Sequence, residues 1–199
     1  MSIDVLPSSP GHPPGRPGDA ERAPRELMTL PGRHHDVRRW HLVEIRLNGR
    51  WAPALLTVWR RPPGSPLWVV HVAWGPDIGG PGEERWAWFL FDAARIRPLA
   101  EPADDGETPR DTVRVPPELA GPSGVEPGEG CWRLAWLHAA GTWRSALITI
   151  RRRPTPHAPW IAYARWGEDQ QAGWVVVDDS LRLIDPAADT TPHHGEQSR

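Results

Sequence analysis

A chain that spells one pattern of tryptophans and glycines twice is constrained to fold that pattern twice, and here the spacing is 92 residues. Trp40, Gly49, Trp51, Trp68, Trp74 and Gly75 have partners at Trp132, Gly141, Trp143, Trp160, Trp166 and Gly167. The block ALLTVWRRP that begins at Ala54 is answered by ALITIRRRP from Ala146. The match predicts an internal duplication into two units of about 55–65 residues. Units of that size bury only about 60% of their unfolded surface, so two of them gain by packing on each other. The 13 tryptophans suit that need, since each large ring contributes roughly 150–250 Å² of burial.

Within each unit the hydrophobic period is that of strands. Val43, Ile45 and Leu47 alternate with Leu42, Glu44 and Arg46. Asn48-Gly49 is a tight-turn signal, because both residues tolerate positive φ. Strands are predicted over 42–47, 51–61, 67–74, 86–91 and 96–99, broken by Pro62-Pro63-Gly64 and Gly75-Pro76. The second unit gives 133–138, 142–152, 160–166, 174–177 and 181–184, with Trp88 matched to Trp174. Five short antiparallel strands without a helical period predict a small closed barrel, which removes exposed sheet edges.

The rest of the chain reads differently. Residues 1–32 are dense in Pro, Gly and Ser and predict a disordered tail, with at most one helical turn near Ala20–Thr29 because of Pro24. Residues 100–130 form an acidic Pro/Gly-rich linker, and 186–199 a second disordered tail. Every one of the 23 basic residues is Arg, which is what the coding bias of a GC-rich bacterial genome produces. Residues 33–99 carry ten Arg against six acids and 131–185 seven against five, while 100–130 carry two against eight. The units are mildly basic and the linker acidic.

The turn followed by Gly49-Arg50-Trp51-Ala52-Pro53-Ala54, then Val70-x-Val72-x-Trp74-Gly75 and a closing Ile96-Arg97-Pro98, resembles the Tudor and Agenet branch of the SH3-like barrels. The resemblance covers both units. It implies an all-β chain of two tandem five-stranded SH3-like barrels, 33–99 and 131–185. Methyl-lysine readers of that family build cages from several Tyr and Phe residues. This chain has one Tyr and two Phe, so a histone-like ligand does not follow.

The duplication also works as a filter. A bulky residue present in both units is explained first by the shared fold; one present in a single unit needs another reason. Trp51, Trp68 and Trp74 and their partners are therefore assigned to packing. Trp59 faces Arg151 in the match, Trp136 faces Glu44, and Trp86 has no counterpart. These three rings are predicted to point away from the individual cores. Clustered exposed tryptophans mark an interface. Two readings follow: burial between the barrels or against a second copy of the chain, or a groove with aromatic walls and Arg rims. For the groove the candidate residues are Trp59, Trp86 and Trp136, with His71 and Tyr163 on outer faces, and Arg46, Arg60, Arg61, Arg151 and Arg152.

No catalytic motif or cofactor signature is present in the sequence. Asp92 and Asp178 match each other where a turn begins. His34-His35 and His193-His194 lack the cysteines that would complete a zinc site, so no metal is expected. The lone Cys131 has no base beside it. No stretch approaches the ~20 apolar residues of a membrane helix. The expectation is a cytoplasmic, non-catalytic binding or adaptor module. Its expected partner is a protein or peptide; single-stranded nucleic acid is the alternative, as Arg runs beside Trp would suit phosphate tracking and base stacking.

Overall fold

The computed structural model describes residues 18–75, 85–103, 109–120 and 128–185. The first element among the described residues is a single helical turn, α1 (Arg25–Met28), followed by β1 (His35–Leu47) and β2 (Arg50–Arg61). Next come β3 (Val69–Trp74), β4 (Trp86–Leu90) and β5 (Ile96–Pro98). The second half runs β6 (Arg114–Val115), α2 (Pro117–Ala120), β7 (Glu129–Ala139), β8 (Thr142–Arg152), β9 (Ile161–Trp166), β10 (Gln171–Val176) and β11 (Leu181–Leu183). No helix among the described residues is long and apolar enough to cross a membrane.

The strands make two antiparallel sheets, ordered β4-β3-β2-β1-β5 and β11-β7-β8-β9-β10-β6. In each, a four-strand meander returns a short fifth strand to the first: Ile96 opposes Ile45, and Leu181 opposes Leu137. Asn48 and Gly49 turn the first hairpin at φ 53° and 78°; Ala140 and Gly141 turn the second at 53° and 72°. The shifts in register also fall at positions 92 apart. They lie between Arg38 and His41 and between Leu56 and Val58 in one sheet, and between Gly130 and Arg133 and between Ile148 and Ile150 in the other. Bulges of this kind increase local twist and bend the long strands.

One face of each sheet holds a core. Val70, Val72, Trp74 and Phe89 pack with Ile45 and Ile96 in the first; Ala162, Ala164, Trp166 and Val175 pack with Leu137 and Ile148 in the second. The alternation places Val70, Val72 and Trp74, and Ala162, Ala164 and Trp166, on the inner faces as read. Trp160, assigned to packing with its partner Trp68, is instead 40% exposed, because it stands just before β9 where the core has ended. A third cluster, Trp40, Leu42, Leu55, Leu134 and Trp136, joins the sheets. Here β1 meets β8 and β2 meets β7, contacts that map onto each other under the 92-residue offset. The approach is close at Gly75, where a Cβ would stand 3.3 Å from Cε3 of the Trp132 ring.

Two expectations are corrected. The sheets are not closed barrels. Instead, the outer edge of β4 is covered by residues 21–23, through a bridge between Arg22 and Phe89 and hydrogen bonds from the Leu90 N–H to the Glu21 carbonyl and from the Ala23 N–H to the Trp88 carbonyl. On β10 the same edge is covered by β6. Covering an edge in this way blunts it by pairing part of its donors and acceptors.

The second correction concerns the segments read as disordered tail and linker. Residues 19–28 spell DAERAPRELM and 111–120 spell DTVRVPPELA, again 92 apart. The Ala20 N–H donates to the Arg46 carbonyl and the Thr112 N–H to the His138 carbonyl, both at 2.8 Å. These segments brace the two sheets in matching ways. Residues 1–17 and 186–199, which the composition also assigns to disordered tails, lie outside the described residues.

Candidate functional site: a cleft between the sheets

The inter-sheet cluster does not fill the whole space between the sheets. A cleft of about 410 Å³ opens beside it. Sheet one contributes Trp59, near the end of β2, and Phe91, just after β4; sheet two contributes Trp136 from β7 and Trp143 from β8. Trp59 and Phe91 lie with ring centroids 4.4 Å apart, and Trp68 meets the Trp59 ring edge-on at 6.2 Å. Trp40 and Ser145 line the deeper part, where the Leu42 N–H donates to Ser145 Oγ at 2.9 Å across the sheet boundary.

Charge at the mouth is largely paired within the protein. Arg97 Nε bonds Glu44 Oε2 at 2.7 Å, with its guanidinium 4.2 Å from the centre of the Trp51 ring. Arg39 bonds Glu168 at 2.8 Å, and His41 lies 3.4 Å from the same oxygen. Arg144 and Glu101, both exposed, complete the rim. The site that results is apolar inside and close to neutral at its edge.

The candidate residues separate into distinct places. Trp59 and Trp136 meet at the cleft. Trp136 is buried in the inter-sheet cluster; Trp59 differs from expectation in also packing against the core of its own sheet. Trp86 is 54% exposed on the outer face of sheet one. His71 lies there with ring centroids 5.4 Å from Trp86 and 5.1 Å from Trp88, and Arg60 stacks over Trp88 at 4.5 Å. Thr57 Oγ1 and His71 Nδ1 are 2.7 Å apart. Burial, and then the nearby Arg60 charge, push the His71 pKa below its ordinary value. Arg60 also grips Asp36 with two 2.7 Å hydrogen bonds. That pairing lowers the Asp36 pKa and raises that of Arg60.

Tyr163 and Arg152 occupy the matching face of sheet two, both against Trp174 at 5.5 and 4.5 Å. Arg151 stacks over Trp160 at 5.2 Å, taking the place that Trp59 has beside Trp68. Arg61 donates to the Ser65 carbonyl and lies 5.9 Å from the Trp68 ring. Arg46 belongs to the brace, its guanidinium next to Gly18.

The sequence filter missed Phe91. Its equivalent after Trp174 is Val177, so the same rule of unshared bulk would have found it. Trp40 and Trp143 were missed for another reason. Both are matched by a tryptophan 92 positions away, and the sequence reading assigns such shared residues to packing. Among the described residues, no group of three His, Cys, Asp or Glu side chains is placed to hold a metal. Burial raises the Cys131 pKa, away from thiolate chemistry. Comparison with protein-family models, curated proteins and solved structures found no match to this chain.

Proposed function

We propose that the chain is a non-catalytic binding module that takes a protein or peptide segment in the cleft between its sheets. Its two halves are read as tandem, duplicated units of the SH3-like, Tudor and Agenet type whose sheets stay open. One observation carries the functional reading: Trp59, Phe91 and Trp136, three rings without a counterpart in the other half, line the same cleft. Of these rings, Trp59 and Phe91 stand where a partner can reach them, and the buried Trp136 backs them as part of the lining. Aromatic anchors in a largely desolvated pocket, with a polar rim, are what interface hot spots are made of. A volume of about 410 Å³ fits a side chain and its flanking peptide units.

Nucleic acid is the weaker reading. Arg60 is held by Asp36, Arg61 by a backbone carbonyl, and Arg151 and Arg152, on the second sheet, stack on Trp160 and Trp174 of their own half. The two runs therefore lie on separate sheets and do not form one basic stripe. Selection from a displayed peptide library, repeated with Trp59→Ala, tests the proposal. Enrichment of an apolar consensus that the variant fails to bind supports it. Failure to enrich, together with oligonucleotide binding that weakens steeply with salt, would replace it with the alternative.

A further inference from the structure

Two buried residues that line the cleft, Ser145 and Trp40, carry hydrogen-bond donors without acceptors, which narrows what can fill it. Ser145 is 6% exposed, and its Oγ already accepts the Leu42 N–H, so the hydroxyl proton is left to donate. Trp40 is 5% exposed, and its indole N–H is buried without an acceptor. A buried donor in this state is costly, and a ligand that supplies an acceptor removes the cost. The mouth adds a second restriction. Arg97 and Glu168 are neutralised by Glu44 and Arg39, and the remaining pair, Arg144 and Glu101, have opposite charge. Nothing at the rim favours a ligand of one sign.

We infer that the occupant is an uncharged peptide segment. It places one aromatic or large aliphatic side chain between Trp59, Phe91 and Trp136, and turns an adjacent backbone carbonyl toward the Ser145 hydroxyl and the Trp40 indole N–H. This rests on the peptide-binding reading and adds its chemistry: the side chain supplies buried area, and the carbonyl fixes depth and orientation. A free carboxylate or phosphate would bring charge into an apolar site whose nearby cations are otherwise placed. Arg97 is paired with Glu44, Arg144 stands exposed at the rim, and Arg165 bonds Gln170 while stacking over the Trp40 ring. The Trp40 N–H is closed off from solvent by its neighbours, so a small rotation of the indole accompanies binding.

The test uses the full chain and N-acetyl-phenylalanine methylamide, which is uncharged and carries both an aromatic ring and amide carbonyls. The indole N–H signals of the 13 tryptophans are followed by ¹H–¹⁵N NMR, with Trp40 assigned by its loss in Trp40→Phe. The expected result is a downfield shift of the Trp40 indole proton at saturation. Trp40→Phe and Ser145→Ala should each weaken the probe about 3–10-fold, the worth of one neutral hydrogen bond. Suppose instead that the probe binds, Trp59→Ala abolishes binding, the Trp40 signal stays still and both variants bind normally. The carbonyl assignment is then overturned while the peptide cleft stands. If no indole responds, or only Trp86 does, the cleft reading falls as well. Should Ser145→Ala fail to fold, the Trp40 shift in the unmodified protein decides.

Discussion

Asp19 accepts the backbone N–H of Gly49 at 2.8 Å, tying the segment before the first sheet to the turn of its own hairpin. Asp111 does the same for Gly141 at 3.0 Å. A turn that holds two successive residues at positive φ leaves backbone donors facing outward, and a carboxylate is a strong acceptor for one of them. Asp19 is buried and Asp111 is exposed, so their contributions differ. Asp19→Ala should lower unfolding stability by about 1–3 kcal/mol, and Asp111→Ala by less, part of its loss coming from the buried His138, whose Nδ1 stands 3.0 Å from the same carboxylate. Urea unfolding of both variants checks the order; equal, negligible losses would mean that the braces do not support the hairpins.

Core and surface aromatics should separate by stability. Phe89 is 1% exposed and sits between β3 and the brace, whereas Trp86, three residues earlier on the same strand, is 54% exposed. Phe89→Ala should cost about 3–5 kcal/mol through the cavity it leaves. Trp86→Ala should stay within about 0.5 kcal/mol. Thermal unfolding of the two variants gives the comparison, and a large loss at Trp86 would show that its stack on His71 holds the sheet together.

Much of this architecture was legible in the residues, for a definite reason. Alternation with period two tells which side of a strand is apolar, so Val70, Val72 and Trp74 could be placed inside and His71 outside. It does not tell what an apolar side will meet. Leu42 and Leu55 alternate correctly, yet only the fold reveals that they face Leu134 and Trp136 of the other sheet. Closure was misjudged because a sequence shows how many strands exist, not whether an edge is paired or covered. The braces were hidden by composition. Pro24 and Pro116 lie among residues typical of disorder, while the shared Asp, Arg, Pro, Glu and Leu spacing carries no tryptophan to draw attention. At the cleft, Trp59 and Trp136 were found by what the halves do not share; Ser145 and Trp40 depend on how the sheets dock.

Stability should respond to pH through His71. Its folded pKa lies below the ordinary value because burial disfavours the imidazolium and Arg60 adds like charge. As pH falls, the unfolded chain therefore takes up this proton first. The contribution is complete above the unfolded pKa of about 6.5 and is lost as pH falls through the folded value. Asp36, lowered by its bond to Arg60, adds a second loss that begins as pH falls below its ordinary value of 3.8. The unfolding midpoint should be flat above about pH 7, decline from near 6.5, and decline again in acid. His71→Gln should remove the first decline; if it persists unchanged, another group is responsible.

Replacing Trp59 with the residue that the other half uses separates folding from binding. Arg151 occupies the equivalent register position and stacks on Trp160, the partner of Trp68. An arginine at position 59 has the same ring available beside it, since Trp68 lies 6.2 Å from Trp59. Trp59→Arg should therefore fold, with a loss of about 1–3 kcal/mol for the apolar contacts removed at Phe91 and the edge of the core. The cleft, however, loses a wall and gains a charge. Binding of apolar peptides selected against the unmodified protein should fall at least about tenfold, as expected for an aromatic anchor whose truncation costs more than 1.4 kcal/mol. Fluorescence anisotropy of a labelled selected peptide, with thermal unfolding of the same samples, reads both quantities. A folded Trp59→Arg that binds as tightly as the original would place the ligand elsewhere, with the exposed face of Trp86 and His71 the next surface to test.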